Sequence, residues 1–424
     1  MKVLLINTSE SAGGAAIAAS RLCDSLNRHG VQAKFLVRDK ETDSTTTFRV
    51  PTSGFHGLLL KAAFLWERFR IWMANGFHRK GLFSVDLGVG AASIVNTPEF
   101  READIIHLHW INQGFLSLAE LRRILRSGKP IIWTMHDMWP ATAICHHARD
   151  CNNFHTHCHD CPQLRHPAAH DLSWKVFDQK AATYSEGRIT FVGCSQWMAD
   201  QARQSRLLGG FDVTCIPNTY DHHIFCPGSQ EEARRHFTLP KRLRLLLFAC
   251  QKVTNPRKGL DYLFTALRSQ RLQAWQGRLA LVVVGQMAEE VAERIPLPVH
   301  TLDYIDDPAE MAELYRAVDL FVTPSLEENL PNTIMEAMAC GTPCVGFNVG
   351  GVPEMIDHTF NGYVARYCDA DDLAKGIDHI LSDLQYSDLS AAAAKKASTI
   401  WNEQQVTQMY IELYEQQLHK SPTP

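Results

Sequence analysis

No stretch of these 424 residues reaches the roughly 18–20 consecutive apolar residues that a membrane-crossing helix needs. The opening run Val3-Leu4-Leu5-Ile6 turns polar at Asn7, is too short for a secretion signal and lacks a cleavage pattern, so the chain is expected to stay in the cytoplasm. An excess of charge of one sign is also lacking: 42 Lys and Arg stand against 46 Asp and Glu, a net charge of -4. That balance excludes the basic footprint of nonspecific nucleic-acid binding, and no nucleic-acid partner is expected. Short-period repeats and low-complexity tracts are missing beyond Ala391 to Ala394, a run of strong helix formers.

What is present is ordinary for a globular protein, with 45% hydrophobic and 21% charged residues, over a length that implies two or three domains. Apolar runs of strand length recur at Val3 to Asn7, Val31 to Val37, Ile105 to Leu108, Ile131 to Thr134 and Ile189 to Val192. The second half repeats them at Leu243 to Phe248, Leu279 to Val284, Leu320 to Thr323 and Pro343 to Phe347. Helical segments alternate with them: Ala15 to His29, stopped by Gly30, then Gly259 to Ser269, Ala309 to Ala317 and Asn332 to Ala339. Such alternation predicts parallel sheets with helices on both faces. The turn-rich stretch Ile216 to Gly228 divides the halves. The expected organisation is an N-terminal domain over 1–215, a second over 216–390, and a C-terminal helix and tail over 391–424 crossing back to the first. The run from about Leu389 to Leu418 reads as one long helix.

Ligands of open α/β sheets bind at the carboxyl ends of strands, and two segments in such positions carry chemistry. Pro324-Ser325-Leu326-Glu327-Glu328-Asn329-Leu330-Pro331-Asn332-Thr333-Ile334-Met335-Glu336 follows a strand and opens a helix, with Glu328 in the loop and Glu336 eight positions on, inside the helix. The helix start at Asn332 and Thr333 offers unpaired N–H groups and a positive dipole end, an anion site flanked by two carboxylates. Lys252-Val253-Thr254-Asn255-Pro256-Arg257-Lys258-Gly259 also lies between strand and helix. Its two ammonium groups suit the neutralisation of a departing diphosphate. One Glu eight residues from another is by itself ordinary surface; the ordered set of Lys258, Pro324-Ser325, Glu328 and Glu336 is what gives the pattern its weight.

This set resembles glycosyltransferase family 4, with its Glu-x7-Glu motif after a Pro-Ser turn and its Glu-Ala-Met-Ala-x-Gly continuation, here Glu336 to Gly341. The resemblance covers nearly the whole chain. It implies an α/β fold of the GT-B type, two Rossmann-like doubly wound domains facing a central cleft, and a retaining transferase that takes a hexose-type sugar from a nucleotide diphosphate. It implies that Glu328 holds the transferred sugar's hydroxyls, that Glu336 holds the ribose, and that Lys258 and Lys252 hold the diphosphate. Gly13-Gly14 matches the family's Gly-Gly loop, placing Gly14 at the donor. Asn329-Leu330-Pro331 stands where the family usually has Gly-Phe-Gly, and Gln251 where Gly commonly precedes the basic residue. No catalytic metal is required. The Asp-x-Asp of metal-dependent transferases has its only counterpart in Asp369-Ala370-Asp371, which reads as a helix cap.

His136, in Thr134-Met135-His136-Asp137, matches a family histidine at the reacting sugar or acceptor, and is expected to act by position and electrostatics. His107 and His109 read as structural. Cys145, Cys151, Cys158 and Cys161 follow as C-x5-C-x6-C-x2-C, interleaved with histidines. In a reducing compartment four such thiols suggest a structural zinc, with an iron–sulfur cluster or no metal as alternatives. The four-Cys segment, with His107-Leu108-His109-Trp110, resembles a subgroup of bacterial exopolysaccharide and colanic-acid-type transferases. That implies a saccharide acceptor on a lipid carrier.

Residues Gly54 to Leu82 interleave Lys61, Arg68, Arg70, Arg79 and Lys80 with Phe55, Phe64, Trp66, Phe69, Trp72 and Phe77, against one acid, Glu67. The pattern suits an anionic lipid surface at the inner membrane face, or equally an ordinary helix pair packed on the first sheet. Two other functions fit the sequence: an epimerase or hydrolase of the same fold acting on the donor alone, and a non-catalytic scaffold.

Overall fold

The computed structural model describes residues 1–51, 54–382, 384 and 386–420. The chain forms two compact units: Met1–Pro217 together with the chain from Gln404 onward, and Asn218–Glu403.

The first unit holds seven strands: β1 (Lys2–Ser9), β2 (Gln32–Asp39), β3 (Thr47–Arg49), β4 (Ile105–Leu108), β5 (Ile131–Met135), β6 (Ile189–Gly193) and β7 (Asp212–Cys215). All pair in parallel, in the order β3-β2-β1-β4-β5-β6-β7. Because side chains alternate across a strand, β1 feeds two cores. Leu4 and Ile6 face one cluster with Trp133 and Phe191. Val3 and Leu5 face the other with Leu22, Val406, Tyr410 and Tyr414. Each such fully buried side chain contributes about 1.5–3 kcal/mol.

The second unit holds β8 (Arg244–Lys252), β9 (Leu279–Gln286), β10 (Val299–Leu302), β11 (Leu320–Thr323), β12 (Cys344–Phe347) and β13 (Gly362–Ala365), all parallel, in the order β10-β9-β8-β11-β12-β13. Strand order reverses beside β1 in the first sheet and beside β8 in the second. Those are the topological switch points at which open sheets of this kind take ligands.

The single helix expected over Leu389 to Leu418 is two, Tyr386–Ile400 and Glu403–His419. Trp401 is buried between them, and its carbonyl accepts from the Thr219 hydroxyl at 2.9 Å, a bond that a continuous helix would give to residue 405. The first helix packs on Asn332–Ala339 and stays in the second unit through Leu389, Ala393 and Ala397. The passage to the first unit therefore comes at 403/404 and not at 391.

Candidate functional site

At the switch point of the second sheet, the loops after β8 and β11 are locked together by their backbones. Gly259 sits at φ +70°, and a Cβ there would lie 1.8 Å from the Pro324 carbonyl oxygen. Only glycine fits such a position. Next to it, Leu326 N–H donates to the Arg257 carbonyl at 2.8 Å. This clamp brings Lys258 to Glu328, with Nζ 2.5 Å from Oε1. Burial opposes the Lys258 charge, but the Glu328 carboxylate outweighs it and holds the ammonium pKa above its ordinary value. Arg257 and Glu327 form a looser pair at 3.7 Å.

The helix Asn332–Ala339 starts at Pro331, which makes no side-chain cap. Proline has no side-chain acceptor, so the cap that Ser, Thr or Asp would supply does not come from this position. Asn332 Oδ1 accepts from Asn218 at 3.2 Å. Thr333 is partly exposed and Glu336 buried. The charge of Glu336 reaches Tyr304 and Cys340 and helps to raise both of their pKa values, after burial. Lys252 ends β8 with its side chain exposed. Asp369 accepts from Asp372 N–H at 2.9 Å, at the start of the helix Ala370–Ser382.

The loop after β12 was not among the expected site elements. Gly350, at φ +55°, would place a Cβ 1.8 Å from the Glu328 carbonyl oxygen, and Gly351 N–H donates to Asn329 O at 2.8 Å. This loop backs the Glu328 turn from the far side. The signal that could have found it is Gly350-Gly351-Val352-Pro353 directly after a buried strand.

In the first unit, the loops after β1, β4 and β5 carry the other expected residues. Gly13, at φ +90°, precedes the helix Gly14–Arg28 and has open space around it. His107 is fully buried, with Nδ1 2.8 Å from the Tyr414 hydroxyl and Nε2 2.8 Å from the Thr134 hydroxyl, which in turn lies 3.0 Å from the Tyr410 hydroxyl. His109 Nδ1 lies 2.9 Å from His136 Nε2, and His109 Nε2 is a buried atom without a hydrogen-bond partner among the described residues. Burial, joined by neighbouring histidine charge, lowers the His107 pKa to about 3; burial against the pull of Asp137 lowers that of His136 to about 4. Both rings are therefore neutral near pH 7. Asp137 is buried yet held at about 2 by His146, whose Nδ1 is 2.7 Å away, by His147 and by Trp139 N–H; Trp110 Nε1 also donates to it at 2.8 Å. His136 thus sits on a turn fixed by the partly buried Asp137–His146 pair.

Cys145, Cys151, Cys158 and Cys161 all line one cavity of about 20 Å³. Burial pushes the thiols of Cys145, Cys158 and Cys161 up to about 12. Among the described residues, no three His, Cys, Asp or Glu side chains are already drawn to metal-ligand spacing.

The helix Phe55–Ala74 differs from the expected basic face. Glu67 and Arg68 are buried: Arg68 pairs with Glu67 at 2.6 Å and with Asp86 at 3.5 Å, and Glu67 accepts from Leu87 N–H at 2.7 Å. Leu58, Leu65, Trp66, Phe69, Met73 and Phe77 are instead 42–63% exposed, with Lys61, Arg79 and Lys80 also exposed. Among the described residues no helix is long and apolar enough to cross a membrane.

Two doubly wound parallel sheets, the second with paired acidic and basic loops at its switch point, define a fold of the GT-B type. Residues 12–224 match the family described as Glycosyltransferase Family 4, and residues 244–383 the one described as Glycosyl transferases group 1. The chain belongs to glycosyltransferase family 4. It is 33% identical over 187 residues to a D-inositol 3-phosphate glycosyltransferase of Stackebrandtia nassauensis, a match covering 40% of this chain and 41% of that protein, so it spans less than half of that relative. The fold is shared with a sucrose-phosphate synthase from Thermosynechococcus elongatus (TM-score 0.67, 18% identity, 98% of each chain). It is shared too with Anabaena HepE in complex with UDP-glucose (TM-score 0.63, 16% identity, 98% of this chain and 100% of that one).

Proposed function

We propose that this chain transfers a hexose-type sugar from a nucleoside diphosphate donor to a saccharide acceptor on a lipid carrier, with retention of configuration, in the assembly of a bacterial polysaccharide. The observation that carries the reading is the Lys258–Glu328 pair, held at a sheet switch point by the approach of Gly259 to Pro324. Leaving-group departure puts negative charge on the diphosphate. A fixed ammonium, with the positive end of the helix that begins at Asn332 and Thr333, meets that charge without reorganising. In this reading Lys258 and Lys252 hold the diphosphate, Glu336 the ribose and Glu328 the sugar hydroxyls, and Gly14 lies at the donor. His136 positions the reacting sugar as a neutral imidazole. No metal takes part in the chemistry. The UDP-glucose held by the Anabaena protein of the same fold supports a uridine donor as the first to test.

The exposed apolar row of the helix Phe55–Ala74, edged by Lys61, Arg79 and Lys80, supports contact with an anionic membrane face where a lipid-linked acceptor resides.

The test is a thermal-shift screen against UDP, GDP, ADP, CMP and their sugar conjugates, since a ligand that binds only the folded state raises its stability. One nucleotide diphosphate is expected to give a clear shift that Lys258→Ala and Glu336→Ala abolish while the unliganded transition stays in place. Transfer assays with lipid-linked saccharides then separate the transferase from donor-only chemistry. Turnover of donor at an undiminished rate without any acceptor would overturn the proposal.

A further inference from the structure

The segment between Thr142 and the helix Leu172–Tyr184 runs about 30 residues with one short helical turn, Asn153–His155. Loops of this length without regular structure are uncommon in compact domains and need an explanation. Two of its non-glycine residues, Arg149 and Asp160, are in left-handed backbone conformations, at φ +52° and +45°. Within this irregular segment, four cysteines line one cavity. Cys145, Cys158 and Cys161 are buried and Cys151 is partly so, and Thr142 and Phe154 are among the other residues of the wall. The cavity, at about 20 Å³, has room for a single small occupant.

A second feature concerns charge. Lys180, on the helix Leu172–Tyr184, is fully buried. It donates to the carbonyl oxygens of Trp139 at 2.5 Å and Thr142 at 3.0 Å and lies over the Trp139 ring. Neither partner is an anion. Asp86 and Asp137 act on Lys180 through space, while their own hydrogen bonds and ion pairs go elsewhere: Asp86 to Gly88 N–H, Gln113 N–H and Arg68, and Asp137 to Trp110, Trp139 and His146. Lys180 is also close enough to Cys145 and Cys158 for charge on either to act on it. Four thiolates around one divalent ion leave two negative charges in excess. A buried ammonium alongside is the counter-charge such a cluster needs.

We infer that Cys145, Cys151, Cys158 and Cys161 form a structural site for one tetrahedral zinc ion, with Lys180 as its buried counter-charge. A soft, all-thiolate donor set favours zinc, and with four protein ligands no position stays open for substrate. Binding releases the thiol protons and requires the side chains to rotate inward about the existing cavity. The site also acts on its surroundings. Cys145 precedes His146, whose ring pairs with Asp137 and whose carbonyl accepts from Met138 N–H at 2.9 Å. Closing the thiols on zinc therefore fixes the turn that carries His136. That consequence rests on the proposed transferase reading; the metal site itself does not.

The test is elemental analysis of the full chain purified without chelator, with the absorption spectrum after exchange for cobalt. About one zinc per chain is expected, together with the thiolate-to-cobalt bands of tetrahedral coordination. Single Cys→Ser changes at each of the four positions should release the metal at least tenfold more readily, and Lys180→Met should weaken its retention in the folded protein. A metal-free wild-type protein whose four thiols titrate freely or are found as disulfides would overturn the inference, as would iron with a visible cluster spectrum. Zinc removal is expected to abolish sugar transfer while leaving the nucleotide thermal shift of the second unit unchanged. Zinc bound in a protein that transfers no sugar under any condition would sink the transferase reading and leave the metal site standing.

Discussion

Gly259→Ala tests the geometry on which the donor assignment depends. At φ +70° a residue with a Cβ costs about 1 kcal/mol relative to glycine. The added carbon would also lie 1.8 Å from the Pro324 carbonyl oxygen, and because that atom belongs to the backbone no side chain can swing away. Relief requires the two loops to part, an overpacking cost of about 1–3 kcal/mol. The sum, about 2–4 kcal/mol, corresponds to roughly 5–15 °C in the melting temperature of a domain this size. Parting the loops also breaks the Leu326–Arg257 backbone bond and withdraws Lys258 from Glu328. Losing one charge-assisted contact to the donor, worth about 1.5–3 kcal/mol, weakens nucleotide binding by roughly 10–150-fold. The control is Gly277→Ala. Gly277 has φ +74° but nothing within 4 Å of its would-be Cβ, so only the conformational cost of about 1 kcal/mol applies. Calorimetry of the full chain, following the transition that shifts with nucleotide, together with titration of the donor nucleotide, reads both effects. Equal melting shifts in the two variants, with equal nucleotide affinity, would refute the claim that the Gly259–Pro324 approach builds the site.

Three further outcomes follow from the first unit. His107, His109 and His136 have pKa values depressed by burial below their unfolded value of 6.5, so between 6.5 and the folded values the unfolded chain binds more protons and stability falls as pH falls. His107 and His136 each cost about 1.4 kcal/mol by pH 5.5; His146, raised by Asp137, gains its stabilisation as pH falls towards 6.5, and Glu67, raised by burial, gains as pH falls below about 8, so both oppose this slope. Melting curves from pH 7.5 to 5.5 should fall less steeply in His107→Gln than in the wild type; identical pH profiles in the two proteins would contradict the burial argument. Arg68→Met should destabilise by about 3–5 kcal/mol, because it leaves two buried carboxyls, Glu67 and Asp86, without their cation. Burial and Asp86 already push the Glu67 pKa up against the pull of Arg68, so the native state holds its proton above the unfolded pKa of 4.5. The defect should therefore be larger at pH 8 than at pH 6 in denaturant titrations, and a pH-independent defect would argue for lost packing instead. Trp66→Ser with Phe69→Ser should leave the melting temperature within about 2 °C, these side chains being exposed, while lowering sedimentation with anionic vesicles at least fivefold. Unchanged sedimentation would remove this helix face from the membrane reading.

The parts of this fold that the sequence announces are those where one strand's own composition decides the outcome. The nine interior strands read as apolar runs because each is flanked by strands on both sides and covered on both faces. The four that do not, β3, β7, β10 and β13, are the four sheet edges. β7 and β10 are only partly buried and need no apolar run, and in β13 the decisive residue is Gly362, whose Cβ would lie 2.3 Å from the Cys344 carbonyl oxygen. The same division holds at the site. The positions of Lys258 and Glu328 in short loops after strands, and of Glu336 in the helix that follows, are legible because they are set by local sequence. Gly285, whose Cβ would meet the Cys250 carbonyl oxygen at 2.0 Å, and Gly350 behind Glu328 are not, since what constrains them is another loop's backbone. The Tyr410 and Tyr414 hydroxyls that satisfy Thr134 and His107 lie 276 and 307 residues away and are invisible to any local pattern. Glu67 and Arg68 mislead for the mirror-image reason. Counted along the helix they are surface charge; in the fold they pair with each other and with Asp86 in the interior, and that inward anchor leaves the aromatic row on the opposite side exposed to solvent. Charge that the sequence places on a membrane-facing helix thus fixes the helix from behind, and the apolar row it exposes is the feature that any membrane contact must use.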